Sequence, residues 1–371
     1  MSRYRCYAAC SFGLEAVVAA ELRELGLEQV EARDARVYFS GSEAGIARAN
    51  LCLAAADRVY IVLKEFEAET FEELFDGVCA IEWGDILPKS ARFPVLADSV
   101  RSRLKSVPDL QRLGKKAVVE AMKRRYGLSF YKESGPAYCI YISLLADRAT
   151  VSLNASGMGL NRRGYRIHNG PAPLRETLAA GLLQLTRWRS WPFYDIFCGS
   201  GTIAIEAARK ARHMAPGLGR AFDMERWGED WQLALEQERQ RAQAMALPRA
   251  EAPIFASDID AKAVEMARFH ARRAGVLEDI VFSVADATHF APGEEPAVLV
   301  TNPPYAIRMG EANEVRRLYR ALGRALIPQG ALRYYILSAD EGFERHFGKR
   351  ADKRRKVYNG NIQCCFYQYF K

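Results

Sequence analysis

From about residue 174 onward the chain alternates helix-type and strand-type hydrophobic patterns, and this alternation constrains the fold more than any other feature. Residues 174–185 carry a helical apolar stripe. Short apolar runs follow at 193–197, 253–258, 280–284, 297–301 and 333–337, separated by stretches of helical periodicity. Parallel strands need long crossovers, and a helix between successive strands supplies them, so the order predicts a parallel α/β sheet. The stretch 210–247 is longer than an ordinary connection and carries a highly charged helical pattern, which marks it as an insertion.

The first 160 residues follow a different order. Strand-like runs are expected at 4–9, 30–35, 36–40 and 58–67, with helices at 14–25, ended by Gly26, and at 43–53. A second unit follows, with a helix at 70–80, a loop around Pro88, a strand at 92–97, a helix at 109–126 and strands at 138–145 and 149–155. This mixed order predicts a small α+β module, not a doubly wound sheet. Residues 157–173 are rich in Gly, Asn, Arg and Pro and read as a linker into the second half.

A length of 371 residues exceeds what one core organises, and 49% hydrophobic with 26% charged residues is the balance of a soluble globular protein. Apolar runs such as 60–63 and 297–300 are too short to span a bilayer, and no membrane association is expected. The N-terminus reads as strand then helix, without the order of a secretion signal, so a cytoplasmic location is expected. Eight cysteines are scattered through apolar contexts without a CxxC pair, and no histidines stand at zinc-ligand spacing with them. Buried, reduced thiols and no metal are expected.

The net charge of +8 is unevenly spread. Between Arg101 and Arg125 nine Lys or Arg residues, among them Arg103, Lys105, Lys115 and Lys116, face only Asp109 and Glu120. Arg162, Arg163 and Arg166 form a second cluster; Lys349, Arg350, Lys353, Arg354, Arg355 and Lys356 form a third. Any one cluster is equally well a solvated face. Three together favour a polyanionic partner, with phosphate contacts supplying much of the affinity.

Asp195-Ile196-Phe197-Cys198-Gly199-Ser200-Gly201-Thr202 sits where a strand hands over to a helix at 203–211. Glycines there let the backbone turn tightly and approach a ligand beside a helix N-terminus. The pattern Gly199-x-Gly201-x-x-Ala204 alone would equally fit a dinucleotide-binding turn. Three acids narrow it. Asp195 could hold a charged amino group, Asp258 is placed for ribose hydroxyls, and Asp286 could accept from an adenine amine. Each alone could be a helix cap, but three after successive strands fit an adenosyl cofactor. A pyrophosphate dinucleotide fits less well, because no nearby basic group balances its phosphates.

After the fourth strand comes Asn302-Pro303-Pro304-Tyr305. Two consecutive prolines fix the backbone, remove amide donors and leave carbonyl acceptors. A base amine is a poor nucleophile because its lone pair is delocalised into the ring. Hydrogen bonds from it to the Asn302 side-chain oxygen and the Pro303 carbonyl would pull it toward tetrahedral geometry, ready to attack a sulfonium methyl. Tyr305 would stack on the base, which must be unstacked to enter. No Pro-Cys pair exists for covalent methylation of cytosine C5.

These motifs resemble those of class I methyltransferases of the amino type: 195–202 as motif I, 257–258 as motif II, 286–287 as motif III and 302–305 as motif IV. The resemblance implies a Rossmann-like domain with a mostly parallel seven-stranded sheet. It also implies S-adenosyl-L-methionine held by Thr177, Asp195, Phe197, Cys198, Gly199, Gly201, Thr202, Asp258, Ile259, Asp286, Ala287 and Asn302. Residues 175–180 resemble the helix that packs over the methionine part of the cofactor. Phe12-Gly13-Leu14-Glu15, 47–50, 56–58, 71–74 and 106–109 resemble a ferredoxin-like segment and a THUMP domain, a module that binds structured RNA. Residues 356–361 resemble the C-terminal signature of the bacterial subfamily.

Over its whole length the chain is thus similar to the 23S ribosomal RNA guanine-N2 methyltransferases, once described as adenine-specific DNA methylases. The resemblance implies a ferredoxin-like segment at 1–65, a THUMP domain at 66–160 and a catalytic domain at 161–371. It implies RNA contacts through Arg101, Arg103, Lys105, Lys115, Lys116, Arg162 and Arg163, with catalysis at Asn302, Pro303, Pro304 and Tyr305. Ala306-Ile307-Arg308 departs from the polar stretch that the family leads one to expect after Tyr305. Methylation of a transfer RNA guanine, or of an adenine amine in DNA, uses the same chemistry. From other classes, a non-catalytic RNA-binding assembly factor leaves the intact Gly199, Gly201, Asp258 and Asn302 unexplained. A nicotinamide oxidoreductase leaves the Asn-Pro-Pro-Tyr segment and the basic module without a role.

Overall fold

The computed structural model describes residues 3–167, 174–293, 295–305 and 312–370. The N-terminal half runs β1 (Tyr4–Cys10), α1 (Glu15–Glu24), β2 (Glu28–Arg33), β3 (Arg36–Gly41), α2 (Glu43–Cys52) and β4 (Ala56–Glu67). It continues with α3 (Phe71–Cys79), α4 (Trp83–Ile86), β5 (Val95–Val100), α5 (Val107–Tyr126), β6 (Ile140–Leu145) and β7 (Arg148–Asn154). Local chemistry sets the helix ends. Ser42 caps α2 through the Gly45 amide, Thr70 and Glu73 form a reciprocal capping box on α3, and Gly127 ends α5 in the left-handed region at φ +62°.

These strands form one sheet in the order β2-β3-β1-β4-β7-β6-β5. The long β4 makes it continuous, pairing with β1 along its first half and with β7 over Tyr60–Glu67. A division at residue 65 therefore falls inside a strand. Tyr7 stacks on Tyr60 at 4.8 Å, and Tyr60 packs on Tyr141 at 5.1 Å, linking the two parts of the module across one face.

The C-terminal half comprises α6 (Glu176–Thr186), β8 (Phe193–Asp195), α7 (Thr202–Ala211), α8 (Glu229–Ala244), β9 (Ile254–Asp258), α9 (Ala261–Arg273) and β10 (Ile280–Val284). Then come β11 (Ala297–Thr301), α10 (Ala312–Leu326), β12 (Leu332–Ser338), α11 (Phe343–Phe347), β13 (Lys353–Asn359) and β14 (Ile362–Tyr369). The sheet order is β10-β9-β8-β11-β12-β14-β13, and only β14 runs against the others. This is the expected mostly parallel, seven-stranded, Rossmann-like sheet. The final hairpin escapes the sequence reading because β13 begins Lys-Arg-Arg-Lys, which registers as a basic cluster. On an edge strand such charges keep the open hydrogen-bonding row from pairing with another chain. Arg354 of this cluster is bound to Glu344.

The two halves pack firmly together, and the insertion 210–247 is the mortar. Its α8 lies on α2, where Arg48 makes a two-pronged bond to Glu238 (2.8 and 2.5 Å). Trp227 stacks on Tyr138 at 5.2 Å and donates its ring N–H to the Ala137 carbonyl, while Trp231 packs against Tyr4. Behind them, buried Glu21 of α1 accepts from the Ala54 and Ala55 amides and from Gln184 of α6. The expected linker is part of this seam over 157–167: Leu160 and Tyr165 are buried, and the Leu160 amide bonds to the Asp57 carbonyl. Its remainder, 168–173, lies outside the described residues. No described helix is long and apolar enough to cross a membrane.

Replacing Trp227 by Ala removes the stack and the ring N–H bond at this seam. The expected loss is about 2 kcal/mol, read by calorimetry as a lower melting temperature, with faster proteolysis between the halves.

Candidate functional site

In a parallel sheet the loops after the strand carboxyl ends gather at one edge, and ligands bind there. The ends of β8, β9, β10 and β11 bring Asp195, Asp258, Asp286 and Asn302 to that edge. Asp195, the last residue of β8, is buried. Its Oδ1 accepts from the Thr301 hydroxyl at 2.9 Å and from the Phe197 amide at 3.4 Å; the same hydroxyl accepts from the Phe197 amide at 3.1 Å. Asp195 Oδ2 is buried with no partner among the described residues. Burial pushes this carboxyl up to about 7 against the pull of the Thr301 and Phe197 bonds, and Asp258 adds to the rise.

The two glycines of the turn serve different needs. Gly199 has φ +48°, and a Cβ there would meet nothing, so the backbone faces open space. Gly201 has φ +83°, and a Cβ would come within 2.9 Å of Ala267, so its bareness lets α9 close on α7. Asp258 ties the loops together, accepting from the Gly199 amide at 2.9 Å and the Asp260 amide at 3.1 Å. Each of its oxygens retains a lone pair for a further donor. Beside it Ile259 is 68% exposed, an apolar surface next to the carboxylate. Asp286 caps the short turn Ala287–His289 through the Thr288 amide and hydroxyl, both at 2.8 Å; these bonds hold its pKa below the usual carboxylate range. Ala287 is buried beneath it, and Phe197 and Cys198 line the turn, with the Cys198 amide on the Ser257 carbonyl.

Asn302 follows β11 with its Oδ1 buried and without a partner among the described residues. A buried amide oxygen left unpaired is costly, and it makes a ready acceptor for an incoming N–H. The prolines behave differently from each other: Pro303 is buried and Pro304 is exposed. The Pro304 carbonyl accepts from the Tyr319 hydroxyl at 3.1 Å, and that hydroxyl also bonds Ser338 at 3.0 Å. Half-buried Tyr305 lies beside Asn359 at the end of β13; desolvation raises its phenol pKa, and the Asn359 side chain pulls the other way. Ala306, Ile307 and Arg308 lie outside the described residues.

Three residues here were not legible as parts of the site. Tyr319 and Asn359 come from elements far along the chain. Arg166, counted with a distant basic cluster, reaches the glycine turn: its guanidinium bonds the Thr202 hydroxyl and the Leu174 carbonyl, and its Nε lies 3.5 Å from Glu176. The expectation of no basic group near the turn is thus corrected, although this cation is spent on protein partners. Thr177 is buried on α6 and gives its hydroxyl proton to Asp57 of the N-terminal module at 2.7 Å, so it fastens the two halves at the site's border.

The basic residues divide. Arg101, Lys105, Lys116 and Arg162 are exposed, and Arg103 is exposed but paired with Glu69 at 2.5 Å. Lys115 is bound to Glu133 and to the Phe93 carbonyl, and desolvation pushes its ammonium down to about 8. Arg163 must be withdrawn from any surface contact. It is buried, bonded to the Ala54 and Leu160 carbonyls and 3.6 Å from Glu206, because the seam around 157–167 needs a donor for those inward-facing groups. Among the described residues the eight cysteines are all free thiols, and no three His, Cys, Asp or Glu side chains converge to hold a metal ion. A cavity of about 900 Å³ opens between α1, α6, α7 and α8, at the seam and away from these residues.

Three family models match the chain: an RlmL ferredoxin-like domain over residues 5–60, a THUMP domain over 68–154, and an RMKL-like methyltransferase domain over 163–368. The chain is 43% identical to YpsC of Bacillus subtilis (strain 168), named as a candidate RNA methyltransferase, covering 100% of this chain and 97% of YpsC. It is 33% identical to the Ribosomal RNA large subunit methyltransferase K/L of Shewanella baltica (strain OS195), over 97% of this chain but 52% of that protein. The chain thus spans about half the length of its K/L relatives. Among solved structures it is similar to SMU.472, a candidate methyltransferase complexed with SAH (TM-score 0.93, 38% identity, 100% and 98% of the two chains). It is also similar to "a predicted N6-adenine-specific DNA methylase" from Listeria monocytogenes str. 4b F2365 (TM-score 0.91, 40% identity, 100% and 97%).

The raised carboxyl of Asp195 carries a testable pH signature. Its pKa is near 7 in the folded chain against roughly 3.9 when unfolded. Between those values the folded form holds a proton that the unfolded form lacks, so this contribution is present at low pH and is lost as pH rises toward 7. The melting temperature of the ligand-free protein should therefore fall more steeply from pH 5 to 7 than that of Asp195→Asn. Parallel curves for the two proteins would show that Asp195 is ionised in the fold.

Proposed function

This chain belongs to the RMKL-like methyltransferase family, with a THUMP-bearing module ahead of the catalytic domain, and we propose that it methylates the exocyclic N2 amine of a guanine in 23S ribosomal RNA. Its cofactor is S-adenosyl-L-methionine. The reading rests chiefly on the buried Asn302 Oδ1 at the end of β11, which has no partner among the described residues and can accept from an N–H donor. The orphaned Asp195 Oδ2 and the open face of Gly199 fit the cofactor: a carboxylate for its ammonium group and bare backbone for close approach. Asp258 would take its ribose hydroxyls, and Asp286 and Ile259 would meet its adenine. When bound, the cofactor supplies a methyl group on a positively charged sulfur.

The protein's own part is positioning and polarisation. Asn302 Oδ1 and the Pro303 carbonyl accept the two N–H bonds of the target amine, which draws its lone pair out of conjugation. Neither group is basic enough to keep the proton released after transfer, so it leaves to water. Tyr305, beside Asn359, supports the extruded base. The rigid Pro-Pro backbone, tied back through Tyr319, keeps these acceptors in place without further ordering cost.

The choice of RNA is supported by the THUMP match and by the relatives named for RNA or ribosomal RNA. Exposed Arg101, Lys105, Lys116 and Arg162 would meet phosphates, and a ribosomal substrate implies action in the cytoplasm. Guanine N2 is carried by the family resemblance; the name of the Listeria structure supports adenine N6 as the second reading.

Nucleoside mass spectrometry on ribosomal RNA, transfer RNA and DNA from cells lacking this gene separates these readings. Loss of one N2-methylguanosine from 23S RNA is expected; loss of N6-methyladenosine, or of a transfer RNA mark, would replace the reading. In purified protein Asn302→Ala should lower kcat by about 100- to 1000-fold while calorimetry finds cofactor binding intact. Undiminished transfer would remove Asn302 from the reaction.

A further inference from the structure

Two sequence motifs are largely unused by the reaction as described: Phe12-Gly13-Leu14-Glu15 after β1, and, apart from Asn359, the 356–361 segment at the end of β13. In the fold they meet. Because β14 is antiparallel to both β12 and β13, β13 runs with the parallel strands and its last residues lie at the same edge as Asn302–Tyr305. The contact is built at backbone level. Arg355 donates to the Gly13 carbonyl at 2.8 Å. Gly13 has φ +92°, and a Cβ there would overlap the Lys356 carbonyl, so only glycine allows this approach. On the other side Leu14 is fully buried against Gly181 of α6.

An anchored loop would be expected to bury its one aromatic side chain. Phe12 instead stays 56% exposed. It meets Tyr358 edge-on, with ring centroids 6.2 Å apart at 81°, an arrangement that leaves ring face uncovered. Lys356, exposed, holds its ammonium 5.5 Å from the Tyr358 ring. Tyr358 is followed by Asn359, whose side chain lies beside Tyr305, so the pair sits at the same sheet edge as the tetrapeptide, near the end of β13. An exposed aromatic face with a cation beside it, at the rim of a site that must unstack a base, suits a second, unpaired base.

We propose that Phe12, supported by Tyr358, is a stacking platform for the nucleotide adjoining the target base, with Lys356 neutralising that nucleotide's phosphate. The N-terminal module thereby contributes directly to the catalytic mouth as well as to distant RNA. The inference rests on the RNA reading above.

Methyl transfer to ribosomal RNA from cells lacking the gene is measured with the wild-type chain, F12A, F12L and F12W. Removing one stacked base should lower kcat/KM for RNA about tenfold. F12A and F12L should both show this loss, F12W should stay near wild type, and cofactor affinity and melting temperature should not change. Full activity in F12L would mean that apolar packing suffices and would overturn the platform, as would F12A matching the wild type. A melting temperature that falls in step with activity would assign Phe12 to holding the halves together, and again overturn it. If the wild type methylates no RNA at all, the RNA reading itself fails, an outcome distinct from equal rates in wild type and F12A.

Discussion

The bond between Thr301 and Asp195 is the constraint on which the site depends. It is buried, it joins the ends of β8 and β11, and through the Phe197 amide it also fixes the start of the glycine turn. It draws the strand before the cofactor loop and the strand before Asn302 into one rigid edge. Hydrogen bonding of Thr301 to Oδ1 leaves Asp195 Oδ2 without a partner among the described residues. A carboxyl held that way is costly to ionise in the empty fold and favourable to ionise against an ammonium. The same arrangement that makes ionisation costly in the free protein would suit a cationic ligand group.

A second dependence runs through the seam between the halves. RNA modules are useful to a modifying enzyme only when their distance from the reacting atoms is fixed. Here the insertion, α2 and the 157–167 segment provide that fixity with an ion pair, a tryptophan stack and buried Arg163. Thr177 and Asp57 extend the seam to the border of the cofactor helix, and Gly13 extends it to β13. The catalytic domain and the RNA module are therefore one body around the site, with the insertion serving as structure.

Much of this was readable in advance because local patterns carry it. The parallel strands, the glycine turn and the three acids stand at short range in the chain, and their spacing gathers them at one sheet edge. The terminal hairpin was hidden because Lys353–Lys356 is charged where an edge strand tolerates charge. Arg163 misled for the opposite reason: a cation beside Arg162 looks exposed until the carbonyls of Ala54 and Leu160 are seen to need it. Arg166, Tyr319 and Asn359 were missed because their partners lie up to some tens of residues away, where composition gives no signal.

The chain itself determined the class of chemistry. Asp195, Gly199, Gly201, Asp258 and Asn302-Pro303-Pro304-Tyr305 follow strand ends, and strand direction alone sends them to a common edge. Tertiary structure decided which polar groups remain unsatisfied there, since pairing depends on neighbours that sequence distance does not reveal. It left Asn302 Oδ1 and Asp195 Oδ2 without partners among the described residues, consumed Arg163 and Arg166 internally, and brought Phe12 from the far end of the chain against Tyr358 of the last hairpin.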